Sequence, residues 1–185
     1  MPTANDLELL LDDETATAAL AAALAGCVGP GFLLYLSGDL GAGKTAFTRA
    51  LLRALGHTGR VRSPTFTLSE SYNLLNFTLY HFDFYRFSAN DEWRDLGFDE
   101  LLGGSSAAVV EWPELGGGTL PEPDVGLRLD APDEASGLDP EHHRIARLRA
   151  GSERGRQCLT HLLCSIDGGL VGVSSRAVSA DLRSR

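Results

Sequence analysis

The sequence predicts an α/β fold, a mixed β-sheet flanked by helices, from three observations. The apolar run at 32–37 precedes the glycine-rich stretch GDLGAGKT, residues 38–45, and a helical pattern follows at 46–55. Two runs rich in Thr, Phe and Tyr, residues 66–72 and 77–83, indicate an antiparallel hairpin. Apolar runs further along the chain are typical of buried parallel strands. We therefore expect a mixed sheet with central parallel strands plus the antiparallel hairpin.

Length and composition indicate how the chain is divided. The 185 residues are 43% hydrophobic, which is enough for an ordinary buried core. We assign residues 1–163 to a single domain. Residues 164–185 are left as a C-terminal tail of unknown order, because they show neither a clear period nor helix caps.

Charge, apolar segments and cysteines limit the possible functions. The formal net charge of −9 argues against a free-standing nucleic-acid-binding protein, because clustered Lys and Arg hold phosphate backbones. No apolar run approaches the roughly 20 residues of a membrane-spanning helix, so we expect no membrane contact. Cys27, Cys158 and Cys164 form no CxxC pair and are odd in number, which indicates reduced thiols. Together these features predict a cytoplasmic protein.

In the N-terminal half, each element has a local signal. Residues 7–11 fit a short strand, and the acidic residues 12–14 supply N-cap chemistry for an Ala-rich helix at 15–26. In the helix at 46–55 the apolar residues recur at helical spacing, and Gly56 takes the position of a C-terminal cap.

The C-terminal half is more irregular. The stretch SANDEWRDLG, residues 88–97, has a capping signal and fits a short helix. Residues 107–110 are apolar and end in Glu111, as a central strand that ends at a site would. Two further strands are predicted at residues 125–130 and 144–150, with a polar loop between them. A last helix is predicted at residues 152–163.

The stretch GDLGAGKT meets the pattern G-x-x-x-x-G-K-[ST]. Its glycines let backbone N–H groups approach phosphate oxygens, and the positive end of the following helix points to the same place. Lys44, the sole lysine of the chain, is expected to reach the β- and γ-phosphates, and the Thr45 hydroxyl to ligate Mg²⁺. The predicted nucleotide-binding loop consists of Gly38, Asp39, Leu40, Gly41, Ala42, Gly43, Lys44 and Thr45.

A second metal ligand is expected at the end of a neighbouring strand. A Mg²⁺ ion held by a P-loop hydroxyl usually needs a nearby carboxylate, and Glu111 after AAVV is the candidate. The alternative is that Glu111 begins a surface loop. Its neighbour Trp112 either packs on the nucleotide or is a core residue before Pro113.

The stretch HFDFYR carries a second chemical cluster. Period-two alternation places His81, Asp83 and Tyr85 on one face of a strand, with Phe82 and Phe84 on the opposite, core-facing side. An imidazole, a carboxylate and a phenol on one face can position a water, bind a metal or contact a partner. The alternative is a solvated outer face.

The stretch RVRSPTFTL, residues 60–68, lies between the helix and the hairpin. Pro64 stiffens it, while Ser63, Thr65 and Thr67 offer hydroxyl groups. Such a segment can sense the γ-phosphate, as switch loops do. The alternative is a plain turn into a strand.

In this order and at these spacings, GDLGAGKT, SPTFTL, HFDFYR and VVEWPE resemble the bacterial TsaE family (also called YjeE), the ATPases of tRNA threonylcarbamoyladenosine biosynthesis. The resemblance covers about residues 7–163, and the last three motifs are more specific than the first. It implies that residues 1–163 form a single P-loop ATPase domain with a P-loop NTPase-like mixed sheet, and that ATP and Mg²⁺ bind at the site. It also implies a cytoplasmic complex with the two related carbamoyl-transfer subunits that modify the adenosine beside the anticodon of ANN-decoding tRNAs.

The resemblance also implies roles for individual residues. Thr45 and Glu111 would hold the metal, and SPTFTL would be the switch. Asp83 would be a catalytic or nucleotide-site carboxylate, and Lys44 and Thr65 are the other residues that we predict to be catalytic. The resemblance also implies that Glu14 and Arg144 approach the nucleotide, and Trp112 is the remaining predicted nucleotide-binding residue outside the glycine-rich loop.

The function expected from these motifs is ATP hydrolysis that drives or resets a partner complex, and the negative charge predicts only indirect contact with tRNA. One alternative is a small P-loop kinase, although its arginines would be grouped in a lid and here they are scattered. A GTPase is excluded because no N/T-K-x-D element exists. The remaining alternative is a non-catalytic binding module that uses ATP only to set an interface.

Overall fold

A computed structural model of the chain describes residues 5–89, 91–102 and 104–176. The strands are β1 (Asp6–Leu11), β2 (Leu33–Ser37), β3 (Ser69–Asn73), β4 (Thr78–Asp83), β5 (Ala107–Glu111), β6 (Val125–Asp130), β7 (Arg144–Ala150) and β8 (Val173–Arg176). The α-helices are α1 (Glu14–Ala25), α2 (Lys44–Ala54), α3 (Glu92–Asp95) and α4 (Glu153–Asp167). Short 3₁₀ segments are Phe98–Glu100, Pro113–Thr119 and Glu134–Ser136.

All eight strands form one mixed sheet in the order β3-β4-β5-β2-β6-β7-β1-β8. The central strands β4, β5, β2 and β6 are mutually parallel, whereas β3 pairs antiparallel at one edge and β7, β1 and β8 at the other. The predicted central parallel strands plus antiparallel hairpin are thus confirmed. Because parallel strands end at the same edge, the segments that follow β2, β4 and β5 meet there.

The two faces of the sheet have separate cores. Helices α1, α2 and α4 cover one face, where β2 contributes Leu34 and Leu36 and α2 contributes Phe47. On the other face lies an aromatic cluster, defined here by Phe82, Phe84, Phe87, Trp93 and Phe98. The predicted orientation of Phe82 and Phe84, away from His81, is confirmed. Strand β5 is buried on both faces, as expected for a central parallel strand.

The start of α1 differs in detail from the prediction. Asp13 is the N-cap residue, and its carboxylate accepts a hydrogen bond from the Ala16 amide at 2.8 Å. Glu14 is the first helical residue rather than the cap, and its side chain is exposed. Its charge still favours the helix, because a carboxylate in the first turn complements the helix dipole.

Strand β3 begins at Ser69, three residues later than predicted. The preceding segment turns instead, since the Leu68 amide donates to the Pro64 carbonyl at 2.6 Å and Leu68 has a φ of 63°. A positive φ is uncommon for a residue with a branched side chain and breaks an extended conformation. The turn therefore keeps SPTFTL out of the hairpin and beside the end of β4.

The expected boundary at residue 163 falls inside α4, which runs on to Asp167. Beyond it, Val173 to Arg176 form β8, which pairs with β1. Residues 164–176 therefore belong to the same domain, and residues 177–185 lie outside the described residues. The three cysteines are free thiols, as predicted. No helix in the described part of the chain is long and apolar enough to cross a membrane.

Candidate active site

The glycine-rich loop connects β2 to α2 at the edge where the parallel strands end. Gly38 has a φ of 130°, and a Cβ added there would lie 2.1 Å from the Leu129 carbonyl oxygen, so only glycine fits. Gly43, with a φ of 105°, is the N-cap residue of α2, and no side chain caps that helix end. The first amides of α2 are thus left to bind an anion, which the helix dipole also favours.

Lys44 is buried beneath this loop. Its ammonium group donates to the carbonyl oxygens of Gly38 at 2.6 Å and Asp39 at 2.9 Å, and lies 3.9 Å from the centre of the Trp112 ring. Burial lowers the pKa of Lys44, and the nearby carboxylates, Glu111 first among them, oppose that shift. The cation is therefore held in place by backbone oxygens and an aromatic face.

Glu111 joins three elements at the end of β5. The Thr45 hydroxyl donates to its carboxylate at 3.0 Å, and His81 Nε2 lies 2.8 Å from the same oxygen, Oε1. Because a carboxylate only accepts, His81 Nε2 donates in this pair. Glu111 is only 2% exposed, so the alternative that it begins a surface loop is wrong.

Asp83 lies beside Glu111, as its register partner at the end of β4. One carboxylate oxygen, Oδ2, accepts from the Thr65 hydroxyl at 2.6 Å and from Ser63 at 3.4 Å. The other oxygen accepts from the Tyr85 amide at 3.0 Å. Asp83 thus ties the SPTFTL turn to the end of the strand.

The alternative of a solvated outer face for HFDFYR is wrong for its first two polar residues, since His81 and Asp83 are buried. Tyr85 lies beyond the end of β4 and is 45% exposed, and its ring packs against Trp112 at 5.1 Å. Trp112 is half-buried, lines the site on one side and packs against the aromatic cluster on the other. It therefore combines both roles that the sequence left open, facing the site and packing in a core.

These groups line one open cleft. The predicted site residues that line it are Leu40, Gly41, Gly43, Lys44, Thr45, Thr65, Asp83, Glu111 and Trp112, and they are joined by Ala46, Ser63 and Tyr85. The predicted site residues that do not line it are Gly38, Asp39, Ala42, Glu14 and Arg144.

Arg144 nevertheless contacts the loop from outside the cleft. Its Nε donates to the Ala42 carbonyl at 3.2 Å, while Nη1 donates to the carbonyls of Pro140 and His143 at 2.6 and 2.7 Å. Arg144 therefore connects the start of β7 to the glycine-rich loop. Glu14, at the start of α1, is exposed and does not line the cleft.

Sequence reasoning missed the partners of the two central carboxylates. The two-residue alternation of the strand placed His81 on the same face as Asp83. The hydrogen bond of His81, however, goes to Glu111, 30 residues away on the neighbouring strand β5. Ser63 was noted only as a hydroxyl in a turn, and here it contacts Asp83. The alternating pattern of HFDFYR indicated which side chains share a face of the strand. The contact of His81 with Glu111 depends on the register between β4 and β5.

The cleft has the donors that a magnesium nucleotide requires. Thr45 and Glu111 offer adjacent hydroxyl and carboxylate oxygens, the hard ligands that Mg²⁺ prefers. Within the described ranges no three His, Cys, Asp or Glu side chains form a metal cluster. That agrees with Mg²⁺ chemistry at nucleotide sites, where one or two protein groups, phosphates and waters complete the shell. The residues present fit Mg²⁺ bound with a nucleotide.

A sequence profile described as "Threonylcarbamoyl adenosine biosynthesis protein TsaE" matches residues 11–138, a span that contains every residue lining the cleft. The chain belongs to the TsaE family. A TsaE protein of Haemophilus influenzae is 43% identical over 107 residues, 58% of this chain and 68% of the relative. One from Rickettsia felis is 39% identical over 127 residues, 68% of this chain and 74% of the relative.

The fold agrees with this family membership. The crystal structure of YdiB from Bacillus subtilis superposes with a TM-score of 0.73 at 29% identity, over 90% of this chain and 99% of YdiB. The TsaE family acts in tRNA threonylcarbamoyladenosine biosynthesis. The predicted family and the P-loop NTPase-type fold are therefore confirmed.

His81 is expected to orient Glu111 for the metal. Replacing His81 with leucine removes the donor to Oε1 and frees the carboxylate to rotate. Loss of such a supporting hydrogen bond typically lowers metal affinity by roughly 10- to 100-fold. We expect His81→Leu to raise the Mg²⁺ concentration needed for tight ATP binding by about that factor, with little effect on ATP binding in EDTA. Calorimetric ATP titrations at a series of Mg²⁺ concentrations measure this directly.

His81→Gln is the matched variant, because its amide can still donate to Glu111. It should restore most of the Mg²⁺ response. An unchanged Mg²⁺ requirement in the leucine variant would show that His81 has only a packing role.

Proposed function

We propose that this TsaE chain is a Mg²⁺-dependent ATPase. The observation that carries the proposal is that Lys44, the Thr45–Glu111 pair and Asp83 line one cleft at the C-terminal edge of the parallel strands. These groups match the parts that phosphoryl transfer needs: a phosphate-binding cation, oxygen ligands for a metal, and a carboxylate for the attacking water.

Each residue has a distinct task in this proposal. The amides of the glycine-rich loop and the Lys44 ammonium bind the phosphates. Thr45 and Glu111 would hold Mg²⁺, which would supply positive charge to neutralise the phosphate oxygens. Asp83, buried and oriented by Thr65 and the Tyr85 amide, orients a water molecule and accepts its proton. Thr65 also links the SPTFTL turn to this carboxylate, so that movement of the turn would change the position of Asp83.

We further propose that ATP binding and hydrolysis gate or reset the cytoplasmic complex that makes N6-threonylcarbamoyladenosine in tRNA. The partners in this proposal are the two related carbamoyl-transfer subunits of that complex. The support is family membership together with two exposed apolar side chains. Leu40 lines the cleft and is 77% exposed, and Phe66 follows the cleft residue Thr65 in the chain and is 83% exposed. Exposed apolar side chains beside a nucleotide site suit contact with a protein that responds to the nucleotide.

Phosphate release from ATP tests this function. We expect a slow rate for the chain alone, loss of that rate in EDTA, and a clear increase when both partner subunits are added. Partner subunits without this chain are the control for their own turnover. Equal, background-level rates with and without the partners would instead support a binding module that does not hydrolyse ATP. Transfer of phosphate to an acceptor, without free phosphate, would indicate a kinase.

A further inference from the structure

Charge is unevenly distributed along this chain. Although its formal net charge is −9, residues 40–69 contain five basic residues and no Asp or Glu, so the remaining residues carry a net charge of −14. One of the five is Lys44 in the cleft. The other four are exposed and lie on α2 and in the segment after it: Arg49, Arg53, Arg60 and Arg62. We call these four residues the basic face.

Contacts along this surface connect α2, which carries Arg49 and Arg53, to the segment that carries Arg60 and Arg62. Arg49 and Arg53 are one helical turn apart on α2, and the Arg53 guanidinium donates to the His57 carbonyl at 2.9 Å. The His57 ring meets the Tyr72 ring edge-on at 5.0 Å. Burial raises the pKa of Tyr72, and so does the charge of Glu70, whereas a hydrogen bond from the Arg62 backbone and the charge of Arg49 oppose that rise. Helix α2 and the segment that follows it thus meet at one side chain, Tyr72.

Within the part of the chain that the structure describes, the guanidinium groups of the basic face have no acidic partner at ion-pair distance. Among the described residues, no ion pair involves any of the four, and the nearby Glu70 accepts a hydrogen bond from Thr67 at 3.1 Å. Elsewhere, arginines with carboxylate partners are Arg94, Arg128, Arg147, Arg149 and Arg156. Unneutralised cations grouped on one face create a local positive potential, and acids farther than about 10 Å are largely screened at 0.1 M salt.

We propose that the basic face binds the phosphate backbone of tRNA directly. This inference rests on the proposed function, which brings the chain to a tRNA substrate. The net charge of the chain, taken alone, predicts only indirect contact with tRNA. Phosphate groups, however, interact most strongly with the cations that they contact directly. Each of the four arginines of the basic face can displace counterions from the RNA. Because these contacts are to phosphates, they position the RNA without reading its sequence.

A protein partner fits this surface less well. Protein interfaces centre on apolar and aromatic side chains. In the described part of the chain, the exposed large hydrophobic residues all lie outside residues 49–62: Leu40, Phe66, Leu75, Tyr85, Leu96 and Val171. The basic face therefore offers charge without an apolar centre, which suits a polyanion.

Fluorescence anisotropy with labelled tRNA, at 50 and 200 mM salt, tests the proposal on the full chain. The basic-face variant replaces Arg49, Arg53, Arg60 and Arg62 with glutamine. The matched control replaces Arg94, Arg128, Arg149 and Arg156 with glutamine, which gives the same net charge but removes cations that already have acidic partners. Four phosphate contacts predict that wild-type affinity falls roughly 100-fold between the two salt concentrations.

At 50 mM salt we expect the basic-face variant to bind tRNA at least ~10-fold more weakly than wild type, with a shallower salt dependence, and the control variant to bind within ~3-fold of wild type. Lysine at the same four positions should retain most of the binding, because the charge is kept; this variant also controls for folding. Equal losses in the glutamine variant and the control would overturn the proposal.

Two further outcomes would also overturn it. The first is wild-type protein that hydrolyses ATP but does not bind tRNA at 50 mM salt; in that case the proposed function stands and only the RNA contact fails. The second is a basic-face variant that binds tRNA normally but no longer associates with the partner subunits. That result would make the surface a protein-docking site.

Discussion

Lys44→Ala is expected to weaken ATP binding by roughly 10- to 100-fold, since hydrogen bonds to charged groups contribute about 1.5–3 kcal/mol. Lys44 is the sole lysine of the chain, and its ammonium lies against the backbone of the glycine-rich loop. No other lysine can therefore replace its charge. The binding free energy lost with the Lys44 ammonium should be larger in the transition state, where the charge on the phosphate oxygens is larger. Turnover at saturating ATP should therefore also fall.

Calorimetric titration with ATP and Mg²⁺ measures the change in affinity. Arg154→Ala is the matched control, because Arg154 is a partly buried cation that donates to the Pro30 carbonyl at 3.0 Å and does not line the cleft. Its ATP affinity should equal that of wild type. A Lys44→Ala protein that binds ATP within twofold of wild type would show that the cleft does not bind a triphosphate in the proposed manner.

Asp83→Asn is expected to reduce turnover by roughly 100- to 10,000-fold while leaving ATP affinity within about threefold, the range that loss of a general base produces. The substitution keeps the size of the side chain and removes its basicity. One accepted hydrogen bond is also lost, because an amide nitrogen cannot accept from the Thr65 hydroxyl or the Tyr85 amide. Single-turnover phosphate release and ATP titration together separate the two effects.

Thr65→Val distinguishes chemistry from positioning. It leaves the Asp83 carboxylate intact and removes only the hydroxyl group that donates to it at 2.6 Å. Its loss of turnover should be smaller than that of Asp83→Asn. Unchanged turnover in Asp83→Asn would exclude a role for this carboxylate in the reaction.

The glycine-rich loop and α2 could be predicted from sequence because all of their determinants are contiguous. Eight successive residues specify the loop, and the period of the following apolar residues specifies the helix. The same applies to HFDFYR, where alternation alone separated His81 and Asp83 from Phe82 and Phe84. The N-cap of α1 was also predicted locally, since Asp13 is one of the acidic residues 12–14 that were expected to supply it.

The C-terminal segment could not be predicted for the opposite reason. Strand β8 has few local signals, and it exists because Val173 to Arg176 pair with β1, more than 160 residues earlier in the chain. The turn at SPTFTL is a similar case. Its Thr and Phe residues favour a strand, but hydrogen bonds from Ser63 and Thr65 to Asp83 accompany a turn at those positions.

The sequence by itself determined the family, the glycine-rich loop and the types of residue that line the cleft, because short contiguous motifs encode local backbone geometry and chemistry. Only the tertiary structure decided which of those residues meet. The Thr45 hydroxyl reaches Glu111 across 66 residues, and His81 reaches it across 30, because β4, β5 and β2 are parallel neighbours in one register. Strand order and register depend on pairing between distant segments, and no local periodicity carries that information.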